Sequence, residues 1–136
     1  MVEIVNSLYI AASGMKAQSD RLRIISQNIA NVDSEPTQPG ELPYRRKIIS
    51  FRNELDKTMG VELVKVSRYD TDKSEFGKRY DPGHPAADEK GYVQTPNVNS
   101  MIELVDMKEA RRAYEANVDV IEVSKEMLSQ TVNMLR

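Results

Sequence analysis

From Ile4 to about Asn31 the apolar positions keep heptad time. Leu8, Met15, Leu22 and Ile29 make one row, and Ile4, Ala11, Gln18, Ile25 and Val32 make a second. Spacings that alternate between three and four place both rows on one stripe of a helix. The opposite side carries Lys16, Asp20 and Arg23. Gly14 weakens the helix interior by about 1 kcal/mol relative to alanine. With Ala11, Ala12 and Ser13 it also forms a small-residue patch that a second helix can approach closely.

The stretch Ser34–Pro43, "SEPTQPGELP", cannot continue a helix, because proline removes a backbone donor and clashes with the preceding turn. Tyr44–Phe51 and Gly60–Tyr69 then read as strands, with "NELDKTM" between them a loop or a single helical turn. A third short strand is expected around Lys78–Asp81, followed by an extended, turn-rich passage from Asp81 to Asn97. From about Val98 to Arg136 the helical period returns without glycine or proline, predicting a rod of about 57 Å at 1.5 Å per residue. Asn97 or Asn99 is its natural N-cap, with Glu103 and Asp106 near the positive helix start. Ala113, Val120, Met127 and Met134, joined by Ala116 and Val123, form one row, and Tyr114, Ile121, Leu128 and Leu135 adjoin it. A stripe that wide can touch more than one neighbouring helix.

The expected fold is therefore mainly α with a small β insertion. Long N- and C-terminal helices pack antiparallel as a coiled-coil-like pair, with short β-strands between them. The divisions are residues 1–33 for the first helix, 34–96 for the loop and β-rich insertion, and 97–136 for the second helix. Two or three short strands are marginal alone and need something to pack on.

Composition sharpens this. A 136-residue chain with no Trp and only two Phe has little bulky core material, which suits an elongated helical protein that completes its core with neighbours. Lys and Arg balance Asp and Glu through residue 96, and the net charge of −2 arises in the C-terminal segment. No polybasic tail for nucleic acid or membrane follows from that distribution. The absence of cysteine excludes disulfides, thiolate metal sites and cysteine nucleophiles. No stretch approaches the roughly 20 apolar residues of a membrane span. "IVNSLYIAASG" imitates a signal-peptide core, but Glu3 precedes it and the first lysine is Lys16, so no cleaved signal is expected.

Candidate chemistry is thin. His84, the sole histidine, sits in "DPGHP" and reads as a turn residue. "DTDKSE" (Asp70–Glu75) lacks the glycine and the final glutamate of a calcium loop and reads as a solvated loop. Glu103 and Asp106 read as helix-start charges rather than an acid–base pair, and "KEARR" (Lys108–Arg112) as a solvated face or a source of intersubunit ion pairs. No catalytic residue, metal site or cofactor is expected.

The two ends taken together, Ala11–Ser34 ("AASGMKAQSDRLRIISQNIANVDS") and Pro96–Leu135, resemble the terminal helices of the bacterial flagellar axial proteins, the rod and hook family. "YRRKIISF" after a Pro-rich loop and "YDPGHPAADEKGYVQTPNVN" (Tyr80–Asn99) are similar to the family's short proximal-rod members. Asn28, Ala30 and Asn31 match the family's "N-x-A-N" helix end, and Tyr114, Glu115, Ala116 and Asn117 its "YEAN". Gly91, Tyr92, Pro96 and Asn97 match the proximal-rod passage. The loop "SEPTQPGELPY" departs from the shorter link common in the family. The resemblance implies a non-enzymatic subunit of the rod within the periplasm, exported unfolded through the flagellar type III apparatus without a cleaved signal. It would build a helical tube that transmits torque and surrounds an export channel. Its implied partners are further copies, other rod proteins and the adaptor FliE.

The subunit interface expected from the stripes and the family match comprises Leu8, Ala12, Met15, Leu22, Asn28, Ile29 and Asn31 on the first helix. On the second it comprises Tyr114, Asn117, Val120, Ile121, Met127 and Leu128. Asn31 is expected to cap the helix C-terminus, where asparagine tolerates the left-handed conformation. The Asn28 amide is expected to reach the partner helix or a neighbouring subunit. A rival from another class is a soluble coiled-coil adaptor or export chaperone that binds a partner helix. The β insertion and "DPGHPAADEKGY" argue against it.

Overall fold

The computed structural model describes all of residues 1–136. Its elements, in chain order, are α1 (Val2–Ala30), β1 (Lys47–Asp56), β2 (Val61–Thr71), β3 (Gly77–Tyr80), β4 (Tyr92–Thr95) and α2 (Ser100–Met134). β1 pairs with β2, and β3 pairs antiparallel with β4 in the register Gly77↔Thr95 to Tyr80↔Tyr92. Two long helices and a small β region between them are the architecture that the heptads and turn signals predict.

β1 begins at Lys47 rather than Tyr44, the Arg46 N–H bonding the Asn97 side chain instead of a strand, and the strands differ from expectation in two further places. "NELD" extends β1 to Asp56, and the hairpin turns only at Lys57–Gly60. Asp56 is the reason: its Oδ1 accepts the N–H groups of Thr58 and Met59, and its carbonyl accepts Gly60 N–H at 2.7 Å. Gly60 takes φ 69°, which a glycine adopts without strain. The second difference is β4 (Tyr92–Thr95), a paired strand inside the passage expected to be extended and turn-rich. There Asp88 Oδ1 accepts Lys90 and Tyr92 N–H, so the turn returns the chain onto β3. His84 occupies the turn expected of it, its Nδ1 accepting the Ala86 N–H at 3.0 Å.

The chain gathers into two compact units, and both helices and the first hairpin contribute to each. The first unit comprises Met1–Leu22, Ile49–Arg68 and Lys108–Arg136. Here α1 and α2 run antiparallel: Arg21 meets Glu109 at 3.5 Å, and Gly14 faces Asn117 further along. A Cβ at Gly14 would stand 2.8 Å from the Asn117 amide nitrogen, so glycine is what lets the helices come this close. The hairpin lies against α1, with Val64 N–H donating to Ser13 Oγ at 3.1 Å. Ala11, Ala17, Ala110 and Ser124 are buried in this unit.

The second unit comprises Arg23–Ile48 and Tyr69–Met107. It joins the end of α1, the Pro-rich loop, the β3–β4 hairpin and the first turns of α2. Asn99 caps α2 as expected, its Oδ1 accepting the N–H groups of Met101 and Ile102. Val93, Ile24, Ile25 and Ala86 are among its buried apolar groups, and two of its most deeply buried side chains are polar, Asn28 and Glu103.

Candidate functional site

Asn28 lies in the last turn of α1, and burial leaves its amide no water to bond with. Every bonding position of that amide is filled within the chain. Its Oδ1 accepts the Tyr44 hydroxyl at 2.7 Å and the Lys47 N–H at 2.9 Å. Its Nδ2 donates to the Lys47 carbonyl at 2.9 Å and to Glu103 Oε2 at 3.4 Å. An amide has two donors and two acceptor lone pairs, so this one has no capacity left for a neighbouring chain. The interhelix bond expected of Asn28 is present, as the contact to Glu103 at the start of α2.

Glu103 is fully buried and ion-paired with the Arg46 guanidinium through Oε1 and Nε. Arg46 also faces Asp72 at 3.4 Å and Asp106 at 3.6 Å. Burial works against the Arg46 charge, but the hydrogen bond and charge of Glu103, aided by Asp72, outweigh it and hold its pKa above the ordinary value. Burial, and then the Glu103 charge, push the Tyr44 phenol up. The Ser74 N–H and hydroxyl hold the Asp72 carboxyl below its ordinary range, with Arg46 helping. Asn97 completes the cluster: its Oδ1 accepts Arg46 N–H at 2.7 Å and its Nδ2 donates to the Asp72 carbonyl at 2.9 Å. "DTDKSE" is thus not a merely solvated loop, because Asp72 ties it to Arg46. The helix-start carboxylate Glu103 is a buried structural ion.

Arg46, Tyr44 and Glu103 were not legible as a cluster in the sequence. The available signal was weak: an acidic residue in a first helical turn that ought to be exposed, flanked by Met101, Ile102, Leu104 and Val105, all of them more exposed than it is.

Asn31 ends α1 by a route other than the one expected. No residue except glycine has positive φ, so Asn31 is not left-handed. Instead its Nδ2 donates at 2.8 Å to the Gln27 carbonyl, which also accepts the Asn31 N–H, while its Oδ1 accepts the Ser34 hydroxyl.

The remaining expected interface residues sort by face. Leu8, Met15, Leu22, Ile29, Tyr114, Asn117, Ile121 and Leu128 are half-buried, whereas Ala12, Val120 and Met127 are exposed. In the first unit the intrachain seam of α2 therefore follows Ala110, Tyr114, Asn117, Ile121, Ser124 and Leu128. The Val120, Val123 and Met127 row stays uncovered, because a stripe of this width exceeds what one helix can cover. Between the two helices of this unit lies an open groove of about 360 Å³, lined by Val5, Leu8, Tyr9, Ala12, Ile121 and Lys125. In the second unit a larger cleft of about 550 Å³ is mixed in character, and Arg23 donates across it to the Tyr69 hydroxyl at 3.3 Å. No cluster of three or more His, Cys, Asp or Glu side chains is placed to hold a metal ion. No helix is long and apolar enough to cross a membrane.

Known proteins share this sequence along nearly its whole length. Residues 8–35 match the family described as "Flagella basal body rod protein". Residues 89–134 match the family described as "Flagellar basal body rod FlgEFG protein C-terminal". The flagellar basal-body rod protein FlgC of Agrobacterium fabrum is 50% identical over 127 residues, covering 93% of this chain and 91% of the relative. The FlgC of Escherichia coli O157:H7 is 37% identical over 131 residues, covering 96% and 97%. That of Bacillus subtilis is 35% identical over 144 residues, covering 95% and 96%. Matches of this extent, spanning both helices and the β region between them, place the chain in the FlgC family of flagellar basal-body rod proteins.

Proposed function

We propose that this structural rod subunit contributes to the proximal rod as one unit of a helical tube that carries torque and surrounds an export channel. The observation that carries the reading is the uncovered apolar surface on both long helices. Val2, Val5, Tyr9 and Ile10 on α1, and Val120, Val123 and Met127 on α2, remain exposed although the helices are already paired. Apolar stripes of this extent mark surfaces that other chains cover. Contacts between unlike faces of successive copies extend a helical assembly without closing it.

In this reading the rod lies in the periplasm, and the chain reaches it unfolded through the type III apparatus without a cleaved signal. Its neighbours are further copies, other rod proteins and the adaptor FliE. Ala12, Val120 and Met127 are the expected interface residues most open to such neighbours. Asn28 acts inside the subunit, holding the helix ends and β1 in place so that those faces are presented.

The test is complementation of a strain lacking this chain, scored for motility and for the chain's presence in isolated basal bodies. Restored motility with the chain retained in the basal body is expected. A chain that restores motility while staying in a small soluble complex with another rod protein would instead identify an adaptor or chaperone.

A further inference from the structure

The turn between β3 and β4 holds the chain's sole histidine, and each ring nitrogen of His84 faces a partner. Nδ1 accepts the Ala86 N–H at 3.0 Å, which assigns the proton of the neutral ring to Nε2. Nε2 stands 3.6 Å from the carboxylate of Glu35, in the Pro-rich loop that follows α1. Both side chains are largely sheltered, His84 being 22% and Glu35 18% exposed. The same Glu35 oxygen accepts the Arg79 guanidinium of β3 at 2.7 Å, and Arg79 also stands 3.7 Å from the Asp81 carboxylate. Glu35 from the loop, Arg79 from β3 and Asp81 from the turn are thus the charged groups of this cluster.

The two partners of His84 favour opposite protonation states. The Ala86 N–H needs a lone pair on Nδ1, which only the neutral ring offers, whereas Glu35 attracts the charged ring. Imidazole is the side chain whose ordinary charge change falls between about pH 5 and 8. A proton taken up by this ring must enter at Nδ1, because Nε2 already carries one. It would set an N–H against the Ala86 N–H, so that bond breaks while the pair with Glu35 strengthens. The backbone bonds of the turn are indifferent to the exchange: His84 N–H donates to the Asp81 carbonyl at 3.1 Å, and Ala87 N–H to the His84 carbonyl at 3.0 Å.

The two partners also belong to opposite walls of one hollow. A space of about 240 Å³ separates the Pro-rich loop from the β3–β4 hairpin, with Ala86 on the hairpin side and Pro36, next to Glu35, on the loop side. We infer that His84 is a proton-operated latch between these walls. Neutral, it locks the turn through the Ala86 N–H; protonated, it releases the turn and ties it to the Pro-rich loop through Glu35. The device is internal to the second compact unit and does not depend on which neighbours the chain meets.

Solution NMR of the full chain reads the latch directly, since one histidine gives one set of imidazole signals. At pH 8 the ring nitrogen shifts should show a bare Nδ1 and a protonated Nε2. Between pH 8 and pH 5 the Ala86 amide signal should move with the same midpoint as the His84 ring. Its protection from hydrogen exchange, corrected for the intrinsic rate at each pH, should fall about fivefold, as for the loss of one hydrogen bond. Nuclear Overhauser contacts from the ring to Glu35 should strengthen at pH 5, and Glu35→Gln should remove that gain. His84→Asn keeps a side-chain acceptor two residues before Ala86 but takes no proton, so its Ala86 amide should stay constant over the same range. A proton on Nδ1 at pH 8, an Ala86 amide that ignores the ring's titration, or an equal response in His84→Asn would each overturn the latch. Ring contacts to Glu35 that do not change with pH would overturn the exchange of partners.

Discussion

Asn28 binds Lys47 as one strand binds another. Its side-chain oxygen accepts the Lys47 N–H and its side-chain nitrogen donates to the Lys47 carbonyl, each at 2.9 Å. A helix side chain thereby supplies, where β1 begins, the donor and acceptor that a neighbouring strand would otherwise provide. The same amide bonds Tyr44 and Glu103, so the end of α1, the entry to β1 and the first turn of α2 converge on it.

Asn28→Ala should lower stability by about 2–3 kcal/mol, because removing the amide leaves several part-buried donors and acceptors unsatisfied. A fall in the urea midpoint with an unchanged slope would show it. A loss below about 0.5 kcal/mol, the range of ordinary surface substitutions, would refute the clamp.

Arg46→Ala should cost more, about 3–5 kcal/mol, since it strands the fully buried Glu103 carboxylate without its cation. Combining Arg46→Ala with Glu103→Leu should recover part of that loss, because no buried charge is then left uncompensated. Thermal melts of the single and double variants give the comparison. Equal losses from the single and double variants would contradict a buried charge as the cause.

Gly14→Ala pits about 1 kcal/mol of helix propensity against a clash with the Asn117 amide. The contact would be 2.8 Å, and Asn117 is itself held by a bond to the Ala113 carbonyl at 3.1 Å. The double variant with Asn117→Ala should be more stable than Gly14→Ala alone, relative to each matching background. Strict additivity in that cycle would mean the two positions do not touch.

Stability should decline in acid partly through Asp72. Bonds from Ser74, with help from Arg46, depress its folded pKa below its unfolded value. Its contribution is therefore complete above the unfolded value near about 3.9 and is lost as pH falls through the lower folded value. Asp72→Asn should flatten the acid limb of a stability–pH curve while changing the neutral limb less steeply with pH. An unaltered acid limb would exclude Asp72 as a contributor.

Val120→Asp with Met127→Asp should leave monomer stability nearly unchanged, since both side chains are already half in water, yet abolish assembly and motility. Sedimentation of concentrated protein and swarming of a complemented strain read the two effects apart. Normal motility would remove this face from the interface.

The sequence by itself determined the periodic parts of this protein. Alternating spacings of three and four from Leu8 to Ile29 and from Tyr114 to Leu128 fix two helices, because only one helical face can collect residues so spaced. Proline and glycine fix where α1 cannot continue, since their backbone limits are local. A cap at Asn97 or Asn99 and Gly14 as a point of close approach follow from equally local chemistry, and the structure chose Asn99. The width of the α2 stripe also foretold that one partner helix would not cover it. Tertiary structure alone decided which row faces inward, because both rows are apolar enough for either role and only the α1 partner distinguishes them. It alone decided that Asn28 is buried, that Glu103 is an interior ion and that Asn31 caps through its amide rather than a left-handed backbone. The first two outcomes depend on Tyr44, Arg46, Lys47 and Asp72, which lie far from Asn28 or Glu103 along the chain. No local rule pairs a polar side chain with a backbone group nineteen residues away; folding does so because a buried amide is stable only with its bonds satisfied.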